Sequence, residues 1–257
     1  MKKICLFLLS CLSLQLYALN YDILTLTNNE GLSNSSVNTI FQDSQGLMWF
    51  GTWDGLNVYN GKEFNVFKPD LGKSNSISNN IIRDIVEQGK AYLWFATDFG
   101  INRYDRRSKS FERYFVDARN MGVSVEHSFF VAVNSRNMVF AAVYGQGIYY
   151  FDEQKQDFVQ LKTASGIKCR RIFFDADDNL WVLSEPGTLS KISFRKNIQA
   201  SVPAGVSRVE MPGNVLSVFR GNGKDMWFQT SDRRLFCTGT QSRQVSEITA
   251  FPHNAGR

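Results

Sequence analysis

Histidine is nearly missing from this chain: 257 residues hold only His127 and His253. They stand far apart, with no cysteine or carboxylate at metal-ligand spacing, so neither a metal centre nor a histidine-based acid–base pair is expected. Cysteine is equally sparse. Of four, Cys5 and Cys11 fall in the apolar N-terminal stretch, leaving Cys169 and Cys237 far apart in sequence, which predicts buried free thiols and no bridge. The absence of a sustained 3.6-residue period argues against a helical protein, and five prolines in 257 residues fit a globular chain. The net charge of +5, or +3 without Lys2 and Lys3, is interspersed with acids. With no basic stripe, nucleic acid is not an expected partner.

Long hydrophobic runs are confined to the N-terminus. Met1-Lys2-Lys3 and the apolar stretch from Ile4 to Ala18 have the basic start, apolar centre and small final residue of a secretory signal, which predicts a periplasmic protein cleaved near Ala18. Leu8-Leu9-Ser10-Cys11 offers a lipobox as the competing reading, but the apolar run before Cys11 is short and continues past it. Gln15 interrupts a run already shorter than a bilayer span, so a retained anchor is disfavoured.

What the chain does have is a repeated aromatic strand. Trp49, Trp94, Phe140, Trp181 and Trp227 are spaced by 45, 46, 41 and 46 residues, the period of one four-stranded propeller blade. In the first copy, strands over 36–42 and 47–52 flank the turn Asp43-Ser44-Gln45-Gly46. Leu56-Asn57-Val58-Tyr59 and Phe64-Asn65-Val66-Phe67 follow, joined through Asn60-Gly61. From turn residue to anchor the spacing is six for Asp43, Asn134, Asp175 and Gly221, and seven for Glu87 before Trp94.

The expected fold is therefore an all-β propeller over 19–257, with blades at approximately 31–70, 76–117, 124–163, 165–205 and 214–251. The anchors are expected between blades, because a blade cannot bury both faces alone. Residues 21–27 read as an extra strand before the first blade, while 245–250 already supply the fifth blade's last strand. That surplus favours five blades of a seven-bladed ring, with two apolar faces left open.

The stretch Gly31-Leu32-Ser33-Asn34-Ser35-Ser36-Val37, with Gln42-Asp43-Ser44-Gln45-Gly46-Leu47-Met48-Trp49-Phe50-Gly51-Thr52-Trp53-Asp54-Gly55-Leu56, resembles the two-component regulator propeller repeat. It is similar to the start of the periplasmic sensor region of hybrid two-component systems from polysaccharide-degrading gut bacteria. The resemblance implies paired seven-bladed propellers and a small β-sandwich ahead of a membrane helix, a histidine kinase, a receiver and a DNA-binding domain. It further implies detection of oligosaccharides, with membrane-linked kinase modules, remaining blades or a homodimer partner as partners. Kinase activity would belong to domains outside this chain.

Catalysis finds no footing in the residues. No serine has a His and Asp arrangement around it, and Asp175-Ala176-Asp177-Asp178-Asn179 has Leu180 where a calcium loop needs Gly, so it reads as the Asp43-type turn. No cofactor, metal or catalytic residue is expected.

The loops between second and third strands and between blades should share one face. They carry Trp53, Asp54, Asp98, Phe99, Tyr144 and Gln146, and between blades Asn34, Asn79, Asn80 and His127. Aromatic rings stack on sugars while amides and carboxylates bond hydroxyls, which suits an oligosaccharide. Asp and Asn also cap turns with no ligand at all, which is the competing reading. Trp53 is the strongest single candidate. Two other classes compete: a propeller lyase or lactonase, and a passive interaction scaffold.

Overall fold

Strand side chains alternate between two faces, so a propeller blade must present apolar residues to both neighbours. A computed structural model describes residues 24–70, 72–116, 129–194, 203–220, 225–238 and 245–248. The leader over 1–18 with its lipobox Cys11, and both His127 and His253, lie outside the described residues.

Five antiparallel sheets follow one another in chain order, the blades of an all-β propeller. Blade 1 comprises β1 (Val37–Gln42), β2 (Met48–Thr52), β3 (Gly55–Tyr59) and β4 (Phe64–Phe67). Blade 2 comprises β5 (Ile82–Gln88), β6 (Tyr92–Thr97), β7 (Ile101–Asp105) and β8 (Ser110–Tyr114). Blade 3 has β9 (Phe129–Val133), β10 (Val139–Val143), β11 (Gly147–Asp152) and β12 (Asp157–Ser165). Blade 4 has β13 (Cys169–Phe174), β14 (Leu180–Ser184), β15 (Thr188–Phe194) and β16 (Pro203–Val209). Blade 5 has β17 (Val215–Arg220), β18 (Met226–Thr230), β19 (Leu235–Thr238) and β20 (Val245–Glu247). Within each sheet the strands pair in chain order. The inner strands β1, β5, β9 and β13 pack each against the next.

Four of the five anchors lie between blades as the period requires, while Trp227 of blade 5 belongs to no shared core among the described residues. Trp49 meets Phe95 at 5.5 Å between ring centroids, Trp94 meets Phe151 at 4.9 Å, Phe140 meets Phe174 at 5.1 Å and Trp181 meets Phe228 at 5.6 Å. Each ring thus seeds the apolar core shared with the following blade. Close approach needs a missing side chain at one place: a Cβ on Gly51 would lie 2.6 Å from Thr39 Cγ2 and 2.8 Å from Ile82 Cγ2, across the seam between blades 1 and 2.

The two outermost faces are unlike the interior ones. Strand register makes Ile40, Ile85, Val131, Ile172 and Val218 equivalent. The last four are 4%, 1%, 2% and 7% exposed, whereas Ile40 is 58% exposed. On the opposite side of the arc, Phe219 beside Trp227 is 55% exposed, although its counterpart Ala132 is buried. Among the described residues four cores join consecutive blades, and none joins the fifth blade to the first.

Three expectations need correction. Residues 24–27 form no strand; Thr27 instead caps a 3-10 turn, Asn28–Glu30, through a reciprocal bond with Glu30. The turn residue of blade 2 is Gln88, not Glu87, because β5 runs two residues longer than expected and the pleat turns Glu87 outward to Ser44 and Arg106. Gln88 then accepts the Trp94 indole N–H, restoring a spacing of six. The outer strand of blade 4 runs to Val209, past the expected boundary at 205, since it stays paired with β15 as far as Leu189. Cys169 and Cys237 are buried free thiols.

Candidate ligand-binding face

The loop between second and third strands is tied to the loop entering the same blade by one backbone bond. Trp53 N donates to Ser36 O, Asp98 N to Ile81 O, Glu185 N to Lys168 O and Ser231 N to Asn214 O, at 2.8–3.2 Å. The two loop sets therefore share a face. In blades 1 and 2 a buried network fastens them: Ser33 N donates to Asn57 Oδ1 and Ser78 N to Asn102 Oδ1, both at 2.8 Å. Thr52 and Thr97 hydroxyls donate to Gly55 and Gly100 carbonyls at 2.9 Å. Ser33 and Thr52 of the first repeat are thus satisfied by internal partners, Thr52 fully buried.

Trp53 is 51% exposed, yet it is held at its edge and on its face. Its indole N–H donates to Asn38 Oδ1 at 2.9 Å, and the Arg83 guanidinium carbon lies 5.4 Å from its ring centroid. Arg83 in turn forms a two-pronged ion pair with Asp98, Nη2 to Oδ2 at 2.8 Å. Asp98 raises the arginine's already high pKa despite partial burial, so the cation is permanent. Asn38 also donates to Ile82 O at 2.9 Å, spanning the seam between the first two blades.

Asn38 and Arg83 occupy the same place: the extra residue of a β-bulge at the start of the inner strand. A bulge re-aims its side chain toward the loop face, and here each reaches the loop residue fifteen positions later. The sequence singled out Trp53 and Asp98 but missed both bulge residues. Their recurrence one strand ahead of each loop was the available signal.

The remaining candidates divide. Asp54 pairs with Lys68 at 2.7 Å, both half-exposed, a contact of small energetic weight. Asn34 Oδ1 accepts the Ser36 amide and Asn79 Oδ1 the Ile81 amide, so both carbonyls are occupied by turn geometry. Asn80 O accepts from Gly55 at 2.8 Å, while its side-chain oxygen is enclosed without a donor among the described residues. Phe99 is half-buried and its carbonyl accepts the Ser78 hydroxyl at 2.6 Å. In blade 3, Tyr144 donates its hydroxyl to Glu185 of blade 4 at 2.6 Å, and Gln146 Oε1 accepts from Tyr149 at 3.2 Å. Trp53 and Asp98 are therefore brought together, through Arg83, at the seam of blades 1 and 2, and Tyr144 and Gln146 belong to the third loop.

Asp175 behaves as a turn residue: its Oδ1 accepts the Asp177 and Asn179 amides and its Oδ2 the Trp181 indole at 2.9 Å. Among the described residues, no group of three or more His, Cys, Asp or Glu is placed to hold a metal. Among them too, no helix is long and apolar enough to cross a membrane.

Residues 31–54, which carry the Ser33 network, the Asp43 turn and Trp53, match the family model described as two component regulator propeller. These residues lie in blade 1 and the loop that enters it. A stretch of 74 residues, 29% of this chain, is 36% identical to histidine kinase P4 of Formosa agariphila and covers 5% of that protein. The extracellular domain of the hybrid two component system BT3049 from B. thetaiotaomicron superposes over 88% of the chain with a TM-score of 0.67 at 24% identity. The chain spans 32% of that domain. Virginiamycin B lyase from Staphylococcus aureus shares the fold at 16% identity, with a TM-score of 0.57 over 81% of this chain and 68% of the lyase. The propeller architecture is thus common to an extracellular domain of a two component system and to a lyase.

Proposed function

We propose that this chain is the ligand-sensing propeller segment of a two-component signalling receptor, exported to the periplasm, and that it recognises an oligosaccharide. The observation that carries the reading is Trp53: a half-exposed ring fixed by Asn38 and Arg83 on the loop face, within the regulator repeat itself. A ring held in place before binding loses little freedom when a sugar stacks on it. Asp98 and Arg83 supply directional polar groups beside it.

The chain acts by recognition, and kinase chemistry resides in other modules of the receptor. The open faces at Ile40 and Phe219 support membership of a larger, seven-bladed ring, with blades of the same build covering both. A bound ligand would bias the packing of blades, or the geometry of a dimer, and pass that bias to a membrane-linked kinase.

Calorimetric titration of the chain with a panel of neutral oligosaccharides tests the reading. Saturable binding that disappears in Trp53→Ala, with thermal unfolding unchanged, is the expected result. Retention of full affinity by Trp53→Ala would remove this face from the reading, and no binding to any oligosaccharide would remove the sugar.

A further inference from the structure

The bulge residue of blade 4 is Arg170, equivalent to Asn38 and Arg83. Its predecessors are both engaged by the loop residue fifteen positions later, Trp53 and Asp98. In blade 4 that residue is Glu185, a suitable partner, but Glu185 accepts the Tyr144 hydroxyl of blade 3 at 2.6 Å. Among the described residues Arg170 makes no ion pair, and its side chain is exposed. The neighbouring Arg171 is exposed and likewise unpaired among them; it acts on the buried Asp84 of β5 only through its field. Elsewhere, Arg83, Arg103, Arg106 and Arg234 each hold a carboxylate.

These two arginines border a cleft. The first four inner strands pack side by side, but between β13 and β17 a space of about 220 Å³ opens, lined by Arg170, Arg171 and Leu183 on one side and residues 216–219 on the other. Across from the arginines, Leu216, at the bulge position of blade 5, is 47% exposed. Two planar cations beside a small space complement a group with several acceptor oxygens. The exposed Leu216 offers apolar surface beside it.

We propose that this cleft is an anion subsite that takes the carboxylate or sulfate ester of an acidic oligosaccharide, Arg170 and Arg171 supplying paired N–H donors. It rests on the reading of this chain as an oligosaccharide sensor and specifies the class of sugar. The sugar's neutral portion is free to extend from the cleft along the loop face.

Titration of the full chain with trigalacturonate, maltotriose and inorganic sulfate tests it. Expected are binding of trigalacturonate well above that of maltotriose or sulfate, and a loss of at least tenfold in Arg170→Gln/Arg171→Gln. Arg107→Gln, at an exposed arginine on the turn between β7 and β8 that makes no ion pair among the described residues, should leave affinity unchanged. If the double variant fails to fold, phenylglyoxal modification of the unaltered chain replaces it: trigalacturonate should protect the peptide carrying Arg170 and Arg171 and leave that with Arg107 reactive. Unchanged affinity in the double variant, equal weakening by Arg107→Gln, absence of protection, or sulfate binding as tightly as trigalacturonate each overturns the proposal. Binding of a neutral oligosaccharide lost in Trp53→Ala, without trigalacturonate binding, overturns the acidic subsite and leaves the sensor reading standing. Absence of all sugar binding overturns both.

Discussion

Gln88 accepts the indole N–H of Trp94 at 2.8 Å, the same bond that joins Asp43 to Trp49 at 2.7 Å and Asp175 to Trp181 at 2.9 Å. The turn residue thereby orients the ring that the next blade packs against. Phe140 has no N–H, and Asn134 in its place only caps the turn, through the Arg136 and Met138 amides. Trp94→Phe should cost about 1–3 kcal/mol, because the buried Gln88 oxygen loses its donor. Trp94→Ala should cost about 3–5 kcal/mol through the added cavity. Urea unfolding of the two variants measures both, and a neutral Trp94→Phe would show the indole bond to be dispensable.

Arg106 bridges Asp43 at 2.9 Å and Glu87 at 2.6 Å across the seam of blades 1 and 2, with all three side chains largely buried. Burial pushes the Asp43 carboxyl upward, but the Trp49 indole, the Leu47 amide and Arg106 together hold it below its ordinary 3.8. Such a depressed carboxylate stabilises the fold fully above that ordinary value and ceases to do so as pH falls through the lowered one. Arg106→Ala should destabilise by about 3–5 kcal/mol at pH 7, the usual range for breaking a buried pair. Chemical denaturation at pH 7 and pH 3 should show a smaller penalty at the acid end; an equal penalty would exclude the electrostatic account.

Asp84 is the opposite case. Burial raises its carboxyl to about 6, against the pull of Arg171 and the Val131 and Ile85 amides. A raised folded pKa means that the fold prefers the protonated acid, so stability falls as pH rises from the ordinary 3.8 to about 6 and stays reduced above. Asp84→Asn should raise stability at pH 7.5 by at most roughly 3 kcal/mol, at about 1.4 kcal/mol per pKa unit. Thermal unfolding from pH 4 to pH 7.5 should lose its downward slope in the variant. A variant less stable than the native chain at pH 7.5 would mean that the ionised carboxylate is wanted.

Ile40 and Ile85 hold equivalent positions at 58% and 4% exposure. Ile85→Ala should therefore cost about 2–5 kcal/mol and Ile40→Ala well under 1 kcal/mol. Ile40→Asp should in addition reduce self-association in light scattering, by charging an open apolar face. Equal costs for the two alanine variants would mean that another surface covers Ile40 in solution.

The fold was readable because its signals are local and repeated. An aromatic at a 41–46-residue period, preceded by a turn and followed by two more strands, leaves few alternatives. The single misread turn, Glu87 for Gln88, arose because both are polar and adjacent; only the pleat of β5 decides which side chain faces the ring. The ligand face was partly readable. Trp53 stood out as an aromatic in a polar loop, whereas Asn38 and Arg83 looked like ordinary strand residues until the bulge turned them toward it.

The sequence by itself determined the all-β repeat, the anchors and the pairing of strands within each blade, since these depend on alternation and turns over fewer than fifty residues. Tertiary structure alone decided the relations between blades: that Arg83 caps Trp53, that Glu185 turns to Tyr144 and not to Arg170, and that among the described residues no blade covers Ile40 or Phe219. Those outcomes depend on which side chains meet across a seam, and no periodicity within one blade encodes the position of its neighbour.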